Sequence, residues 1–347
     1  MVSVSTKISC SLGVNNAIRI PLSYFNLLLS DTQLLTIGAS TRKHSNEVDN
    51  DENTNNESIE MKNKDDKIEW NTLSSSLFQV RSHDYLISKI KVPSPESLYD
   101  LFAVDLFETD RRVPNISSLV KLPTDLPKDN PDWNCPEILI FYLSLPTEAP
   151  SLGFSSSSDE DAGVGLILIC YFRLNDSTKK TLRQIHGDTA ATNTAAESTT
   201  ETSSSDPNQS RINGVKLFSE WVKRSPTDPS FQGRFKLIPI SNNLDEVGVP
   251  TYMQKYRNKP LLIKRSGTTG IYTSLQKEVL EFEVNFYPFP YLGKQALSYF
   301  RSHYLHKMDL SLAFVIEGRC SEELPEVVIG CVNLPKPNLD LMPNIQG

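Results

Sequence analysis

Apolar residues fall into short runs along the chain, and most of these runs have the spacing of β-strands. Two near-continuous runs, EILIFYLSLP (137–146) and VGLILICYFRL (164–174), are typical of central strands covered on both faces. The segment VLEFEVNFY (279–287) alternates between two sets of side chains, which predicts a strand with Glu281 and Glu283 on one face. Further strand-like runs lie at 78–88, 98–109, 234–241, 258–266, 310–318 and 326–334.

Three segments have helical spacing instead. NDSTKKTLRQI (175–185) begins with a capping-type residue, and LGKQALSYFRSHYLHK (292–307) is a clear amphipathic helix. GVKLFSEWVKRS (214–225) places Val215, Phe218, Trp221 and Val222 on one apolar stripe. We therefore predict an α+β fold in a single domain, with a largely antiparallel sheet of about nine strands and about three helices, because the connections between strands are short.

The acidic residues are concentrated in a few polar stretches. Residues 45–68 carry a net charge of −5, residues 155–163 carry −3 and residues 186–210 carry −4. Such segments bury too little apolar surface to offset the entropy of ordering, so we expect a disordered linker at 45–69 and disordered insertions at about 155–163 and 186–210. Residues 1–44 are predicted to be a tail, either a transit peptide or a strand that docks on the domain. Residues 338–347 are expected to form a C-terminal tail.

Composition sets further limits. The 347 residues have a net charge of −7, which argues against a nucleic-acid binder, although the chain outside the three acidic stretches is mildly basic. No apolar run reaches the roughly 18 residues of a transmembrane span. Five scattered cysteines do not indicate a disulfide framework. We expect a soluble protein in the cytoplasm, peripheral to membranes, with organelle targeting by residues 1–44 left open.

The sequence contains little recognisable catalytic chemistry. Nucleophile-elbow, zinc-protease and phosphate-loop motifs are missing, so we predict no catalytic residue, no metal and no cofactor. His303 and His306 share a predicted helix face but have no neighbouring third ligand. The glutamates of SEELPE (321–326) are predicted to lie in a turn capped by Ser321. The alternatives are that Glu322, Glu323 and Glu326 are acid/base groups or that they pair with Arg234 and Lys236.

Two segments are candidates for ligand contact. The basic segment, QKYRNKPLLIKR (254–265), could hold an anionic headgroup through its five cations, which are Lys255, Arg257, Lys259, Lys264 and Arg265. An edge strand with solvated lysines is the alternative. The aromatic turn, NFYPFPYLG (285–293), could line a cavity or meet a bilayer interface through its rings, which are Phe286, Tyr287, Phe289 and Tyr291. A rigid turn packed on the core is the alternative.

Several sequence blocks together resemble one protein family. They are Trp70 with VRSHDYL (80–86), LYDLFAVDLFETD (98–110), FKLIP (235–239), KPLLIKRS (259–266) and LAFVIEGRCSEELPEVVIGCVNL (312–334). In this order they are similar to the C-terminal domain of the plant ENHANCED DISEASE RESISTANCE 2 protein, over about residues 70–337. The aromatic turn departs from that family's usual polar strand end.

The resemblance implies no established reaction. The family domain often follows pleckstrin-homology and START modules, and with 69 residues before the domain we expect neither module in this chain. The association implies a lipid or membrane role. We therefore predict a noncatalytic, lipid-binding or membrane-associated module with an anionic lipid or membrane surface as its partner. The alternative is a soluble adaptor that binds protein partners.

Overall fold

The computed structural model describes eight stretches of the chain. They are residues 34–44, 67–123, 133–148, 161–191, 207–254, 259–264, 267–272 and 279–345. From Leu35 onward these stretches form one compact unit.

The strands range in length from two to 13 residues. They are β1 (Leu35–Thr36), β2 (Thr41–Lys43), β3 (Ile68–Trp70), β4 (Gln79–Arg81), β5 (Lys91–Pro93), β6 (Tyr99–Arg111), β7 (Val120–Lys121), β8 (Ile138–Pro146), β9 (Ala162–Leu174), β10 (Phe235–Ser241), β11 (Leu261–Leu262), β12 (Gly267–Tyr272), β13 (Val279–Asn285), β14 (Asp309–Ile316), β15 (Val328–Pro335) and β16 (Asn344–Ile345).

Three of the helices are long, and the others are single turns. The α-helices are α1 (Tyr85–Ser88), α2 (Asp176–Ala191), α3 (Pro207–Arg224), α4 (Pro229–Gln232), α5 (Leu244–Val247), α6 (Thr251–Gln254) and α7 (Tyr291–His303). Short 3₁₀ turns occupy Ser75–Leu77, Ile116–Ser118, Leu305–Lys307, Ser321–Glu323 and Leu339–Leu341. The long helices α2, α3 and α7 are the three that the sequence predicts.

Two sheets carry the fold. The large sheet has the strand order β12-β13-β8-β9-β6-β16, and the small sheet has the order β11-β10-β14-β15. The two near-continuous apolar runs form β8 and β9, which are neighbours in the large sheet and pair antiparallel along the whole of β8. The small sheet is antiparallel throughout. In the large sheet β13 pairs parallel with β8 and β16 pairs parallel with β6, so the predicted α+β fold with largely antiparallel pairing is confirmed with two parallel pairings in this sheet.

Aromatic rings fill the space between the two sheets. Phe141 on β8 lies 4.6 Å from Phe314 on β14 and 5.1 Å from Phe235 on β10, measured between ring centroids. Trp221 of α3 closes one side of this cluster, 5.2 Å from the ring of Phe282. Ring pairs at these separations add to the free energy of burial. The predicted apolar stripe of α3 therefore belongs to the core.

One glycine permits the close approach of the sheets. A Cβ atom at Gly330, on β15, would lie 2.4 Å from the ring of Phe172, on β9. Real Cβ atoms do not come this close to another heavy atom, so any other residue here would push the two sheets apart.

The structure differs from the sequence predictions at several boundaries. The predicted strand at 78–88 ends at Arg81 and gives way to the helical turn α1. The insertion predicted at 186–210 overlaps the end of α2 and the beginning of α3, and residues 192–206 lie outside the described residues. Parts of both predicted tails pair with the domain, since β1 pairs with β7 and β16 pairs with β6.

Most of the predicted linker and most of the remaining predicted insertion lie outside the described residues. Of the linker at 45–69, residues 45–66 lie outside the described residues, and its last residues belong to β3. Of the insertion at 155–163, residues 155–160 lie outside them as well.

Candidate functional site

The basic segment leads to an edge of the small sheet. Lys259 and Lys264 flank β11, the outermost strand of that sheet, and both side chains are exposed. Leu261 between them is 41% exposed. The other three predicted headgroup ligands, Lys255, Arg257 and Arg265, lie outside the described residues. The described part therefore presents two cations beside an exposed leucine.

The aromatic turn is divided between the interior and the surface. Phe286 and Tyr287 are buried, Phe289 is half-buried against Phe286, and Tyr291 is exposed at the start of α7. The Tyr287 hydroxyl donates to the carbonyl of Gly163 at 3.1 Å, and burial raises the pKa of Tyr287 to about 12. Two of the four predicted rings are thus core residues, as the alternative of a packed turn requires.

The basic segment and the aromatic turn come together at one end of the large sheet. Gly267, three residues after Lys264, pairs with Val284 at the end of β13. The aromatic turn leaves the sheet directly after this pair. The sequence could not place the two segments side by side, because their proximity depends on the pairing of β12 with β13.

A third surface feature was missed by the sequence analysis. Residues 82–91, here called the hairpin tip, connect β4 to β5 and contain α1. Ile87 is 91% exposed, Ile90 is 57% exposed and Leu86 is 38% exposed. Lys89 and Lys91 are exposed in the same ten residues. The signal in the sequence is LISKIK (86–91), in which three aliphatic residues and two lysines fall within six positions.

The hairpin tip is mounted on the small sheet through Arg81. Its guanidinium donates to the carbonyl of Gly318 and to the Glu317 carboxylate, both at 2.8 Å. The backbone N–H of Arg81 donates to the Glu326 carboxylate at 3.2 Å, and the N–H of Glu326 donates to the carbonyl of Arg81. The Arg81 guanidinium also lies 4.9 Å from the ring centroid of Tyr85, at the start of α1. Charge-assisted bonds of this kind fix orientation well.

Within the SEELPE block, Glu326 is the glutamate that contacts Arg81 and supports the base of the hairpin. Glu326 is fully buried and accepts a hydrogen bond from Lys236 Nζ at 2.5 Å and from the N–H of Gly318 at 3.0 Å. Burial lowers the pKa of Lys236, and the Glu326 carboxylate acts in the opposite direction. Glu323 pairs with Arg234 at 2.8 Å. The alternative of pairing to Arg234 and Lys236 is therefore confirmed.

The predicted cap of this block is wrong. Cys320, not Ser321, occupies the N-cap position of the 3₁₀ turn Ser321–Glu323, and no side-chain hydrogen bond caps that turn. The pKa of Glu317 lies below its usual value: burial opposes its ionisation, but its bonds to Arg319 and Arg81 outweigh that effect. The turn is thus held by ion pairs at its flanks and not by a capping hydroxyl.

Buried carboxylates on the large sheet also serve to hold segments in place. Glu281 accepts from the N–H groups of Ile116 and Ser117 at 3.0 and 2.8 Å. Asp105 accepts from the N–H groups of Gly38 and Ser40 in the same manner, at 2.8 and 3.0 Å. Burial raises the pKa of Glu281, and the amide donors oppose that shift. These carboxylates attach two surface segments to the sheet.

Groups with metal or nucleophilic chemistry are dispersed over the described residues. Within these residues, His, Cys, Asp and Glu side chains form no group of three or more that could hold a metal ion. Cys170 and Cys331 are buried in strands, and burial raises the pKa of Cys331 to about 12, whereas Cys320 is exposed. Across the part of the chain described, no helix is both long enough and apolar enough to cross a membrane.

The fold and the ion pairs place the molecule in a structural class. The molecule is an α+β domain with two packed sheets, whose ion-paired SEELPE block mounts a surface hairpin. The chain belongs to the family described as Protein ENHANCED DISEASE RESISTANCE 2, C-terminal, whose model matches residues 70–337. Comparisons with curated proteins and with solved structures return no match.

Proposed function

We propose that this chain is a noncatalytic module that associates with membranes by binding anionic lipid at its surface. The observation that carries the proposal is the edge of the small sheet, where Lys259 and Lys264 are exposed on either side of a partly exposed leucine. Lysines near a membrane surface each contribute on the order of 1 kcal/mol with anionic lipid, and an apolar side chain among them adds burial.

The packing of the interior favours a surface contact over an enclosed lipid site. Rings from both sheets and from α3 occupy the space between the sheets. Phe286 and Tyr287, which the sequence offered as a lipid lining, are packed in the core. The proposal therefore relies on the basic segment and not on the aromatic turn.

Vesicle flotation tests the proposal. The full chain is mixed with vesicles of phosphatidylcholine alone or of phosphatidylcholine with phosphatidylserine, and the fraction that floats is measured. We expect flotation only with the anionic vesicles, and we expect added salt to weaken it because surface charges are screened. A variant with alanine at Lys255, Arg257, Lys259, Lys264 and Arg265 should lose most of the binding.

A charge-matched control separates a specific surface from general attraction. Five exposed lysines outside the basic segment and the hairpin tip, Lys43, Lys121, Lys180, Lys216 and Lys307, are replaced by alanine in a second variant. This variant should float as the unaltered chain does. Full-length protein that stays in solution with both kinds of vesicle would overturn the proposal and favour the protein-binding adaptor.

A further inference from the structure

The hairpin tip combines features that are unusual for an exposed loop. Three large aliphatic side chains project from ten residues, and the most exposed of them, Ile87, keeps 91% of its surface accessible. Isolated exposed apolar residues are ordinary, but a cluster of them indicates an interaction site. Because α1 is a single turn at the end of the two-stranded ribbon of β4 and β5, the cluster lies on a projecting tip.

The charged residues of the hairpin tip favour a negatively charged partner. Lys89 and Lys91 are exposed, and Asp84 is the only acidic residue in the segment. Lys89 Nζ donates to the carbonyl of Leu86 at 2.7 Å, which places this cation beside the aliphatic side chains. The Asp84 carboxylate accepts a hydrogen bond from the Ser82 hydroxyl at 2.6 Å. The tip therefore presents aliphatic groups bordered by cations.

We propose that the hairpin tip inserts Leu86, Ile87 and Ile90 into the outer layer of an anionic bilayer, with Lys89 and Lys91 against its headgroups. A fluid bilayer accepts a projecting apolar tip, whereas a stable protein interface buries about 800 Å² on each partner, more than three side chains supply. This inference rests on the proposed membrane association and adds the part of the surface that enters the apolar layer.

The tip and the basic segment lie at the same end of the small sheet. Arg81, at the base of the tip, bonds Glu317 and Gly318 just beyond the end of β14. Phe235 pairs with Ile316 at that end, and Ile263 donates its N–H to the carbonyl of Phe235. Lys264 follows immediately. One membrane surface can therefore meet the tip and the basic segment together, so the two sets of cations act on the same lipids.

The rigid mount makes insertion of the tip favourable. Arg81 is bonded on both its backbone and its side chain, so the base of the hairpin is held before any membrane contact. A loop that is already ordered loses less conformational entropy on binding than a loop that must be ordered. Through Glu326, the SEELPE block therefore supports the hairpin tip in its membrane-binding position.

The first test removes the aliphatic side chains. A variant with Ile87→Ser and Ile90→Ser should bind anionic vesicles about tenfold more weakly, since each isoleucine loses its burial in the bilayer. The control is Leu77→Ser, which removes a leucine that is 58% exposed in the turn Ser75–Leu77, outside both the hairpin tip and the aromatic turn. The control should float as the unaltered chain does. Equal losses in the two variants would overturn the assignment to the tip.

The second test gives a signal that does not depend on loss of binding. Ile87→Trp is mixed with anionic vesicles that contain brominated acyl chains, which quench tryptophan fluorescence at short range. We expect quenching for Ile87→Trp above the level of the unaltered chain, in which Trp70 and Trp221 are buried and Trp133 is half-buried. We expect no added quenching for Leu77→Trp, and quenching of Leu77→Trp alone would overturn the inference.

The outcomes separate this inference from the proposed function. If the unaltered chain floats and the serine variant floats equally well, without quenching of Ile87→Trp, the tip is excluded and membrane association stands. If the unaltered chain floats with no vesicle, both proposals fall. A dimer in solution that Ile87→Ser dissociates, without vesicle binding, would assign the tip to a second copy of the chain and overturn the inference.

Discussion

The hairpin tip and the aromatic turn are both rich in apolar residues, but they differ in how far those residues are exposed. The aromatic turn contributes Phe286 and Tyr287 to the core, whereas the hairpin tip leaves Ile87 and Ile90 in solvent. The aromatic turn continues β13, a central strand of the large sheet, so its first side chains stay in the packed layer. The tip continues a separate two-stranded ribbon, β4 and β5, which belongs neither to the large sheet nor to the small sheet.

This difference shows that apolar content alone does not locate an interface. What decides exposure is the element that precedes the segment and the groups that hold it. The aromatic turn is held by apolar burial and by the bond from Tyr287 to Gly163. The hairpin tip is held at its base by the ion pairs of Arg81 and Glu326, and its apolar residues contribute little to that support.

The largest expected effect comes from the mount of the hairpin. Glu326→Ala should lower the free energy of unfolding by about 3–5 kcal/mol, because it leaves Lys236 buried without its carboxylate partner. Chemical denaturation measures the change. Glu322→Ala, at an exposed glutamate in the same block, is the matched control and should change stability by less than about 0.5 kcal/mol. Similar losses in both variants would contradict the mount.

The next effect concerns the aromatic turn. Phe286→Ala should cost about 3 kcal/mol of stability, since it removes a buried ring that packs against Phe289 at 4.7 Å. Thermal and denaturant unfolding provide the measurement. Leu292→Ala, six residues later and 79% exposed, should leave stability almost unchanged. A Phe286→Ala protein as stable as the unaltered chain would mean that the turn is not part of the core.

A smaller effect is expected where Tyr287 packs on the sheet. A Cβ atom at Gly165 would lie 1.9 Å from the Tyr287 hydroxyl oxygen, so Gly165→Ala should cost about 1–3 kcal/mol. Tyr287→Phe removes that oxygen and one hydrogen bond, at a cost of about 1 kcal/mol. In a double-mutant cycle, Gly165→Ala should therefore cost less in the Tyr287→Phe background. Strict additivity would show that the two residues are not in contact.

The smallest effect on stability is expected at the hairpin tip itself. Ile87→Ser and Ile90→Ser together should change the free energy of unfolding by less than about 0.5 kcal/mol, because both side chains are largely exposed. Val80→Ala in the same hairpin is the contrasting variant and should cost about 2 kcal/mol, since Val80 is buried against the small sheet. A large loss for the serine variant would place the isoleucines in a packed environment.

Local periodicity was sufficient to predict the regular elements. The continuous apolar runs of β8 and β9 and the stripe of Val215, Phe218 and Trp221 predicted buried elements, and these predictions are confirmed. Side-chain period is a property of neighbouring residues, so it is visible in one chain. The pairing of Lys236 with Glu326 was recognised only as an alternative to a capped turn and to an acid/base role, because 90 residues separate the partners.

The surface was harder to predict than the core. The hairpin tip reads as the end of an alternating strand, FQVRSHDYLIS, and nothing within those residues shows that the ribbon ends at Arg81. That boundary depends on Glu317, Gly318 and Glu326, more than two hundred residues away. Exposure at Ile87 is thus a consequence of tertiary contacts that local pattern does not contain.

Hydrogen–deuterium exchange of the full chain, with and without anionic vesicles, tests the central claim most directly. It compares the hairpin tip and the aromatic turn in a single experiment. We predict slower amide exchange on vesicle binding in peptides that cover residues 82–91, and unchanged exchange in peptides that cover residues 285–293. Protection of residues 285–293 with no change at residues 82–91 would contradict the account and place the membrane contact at the aromatic turn.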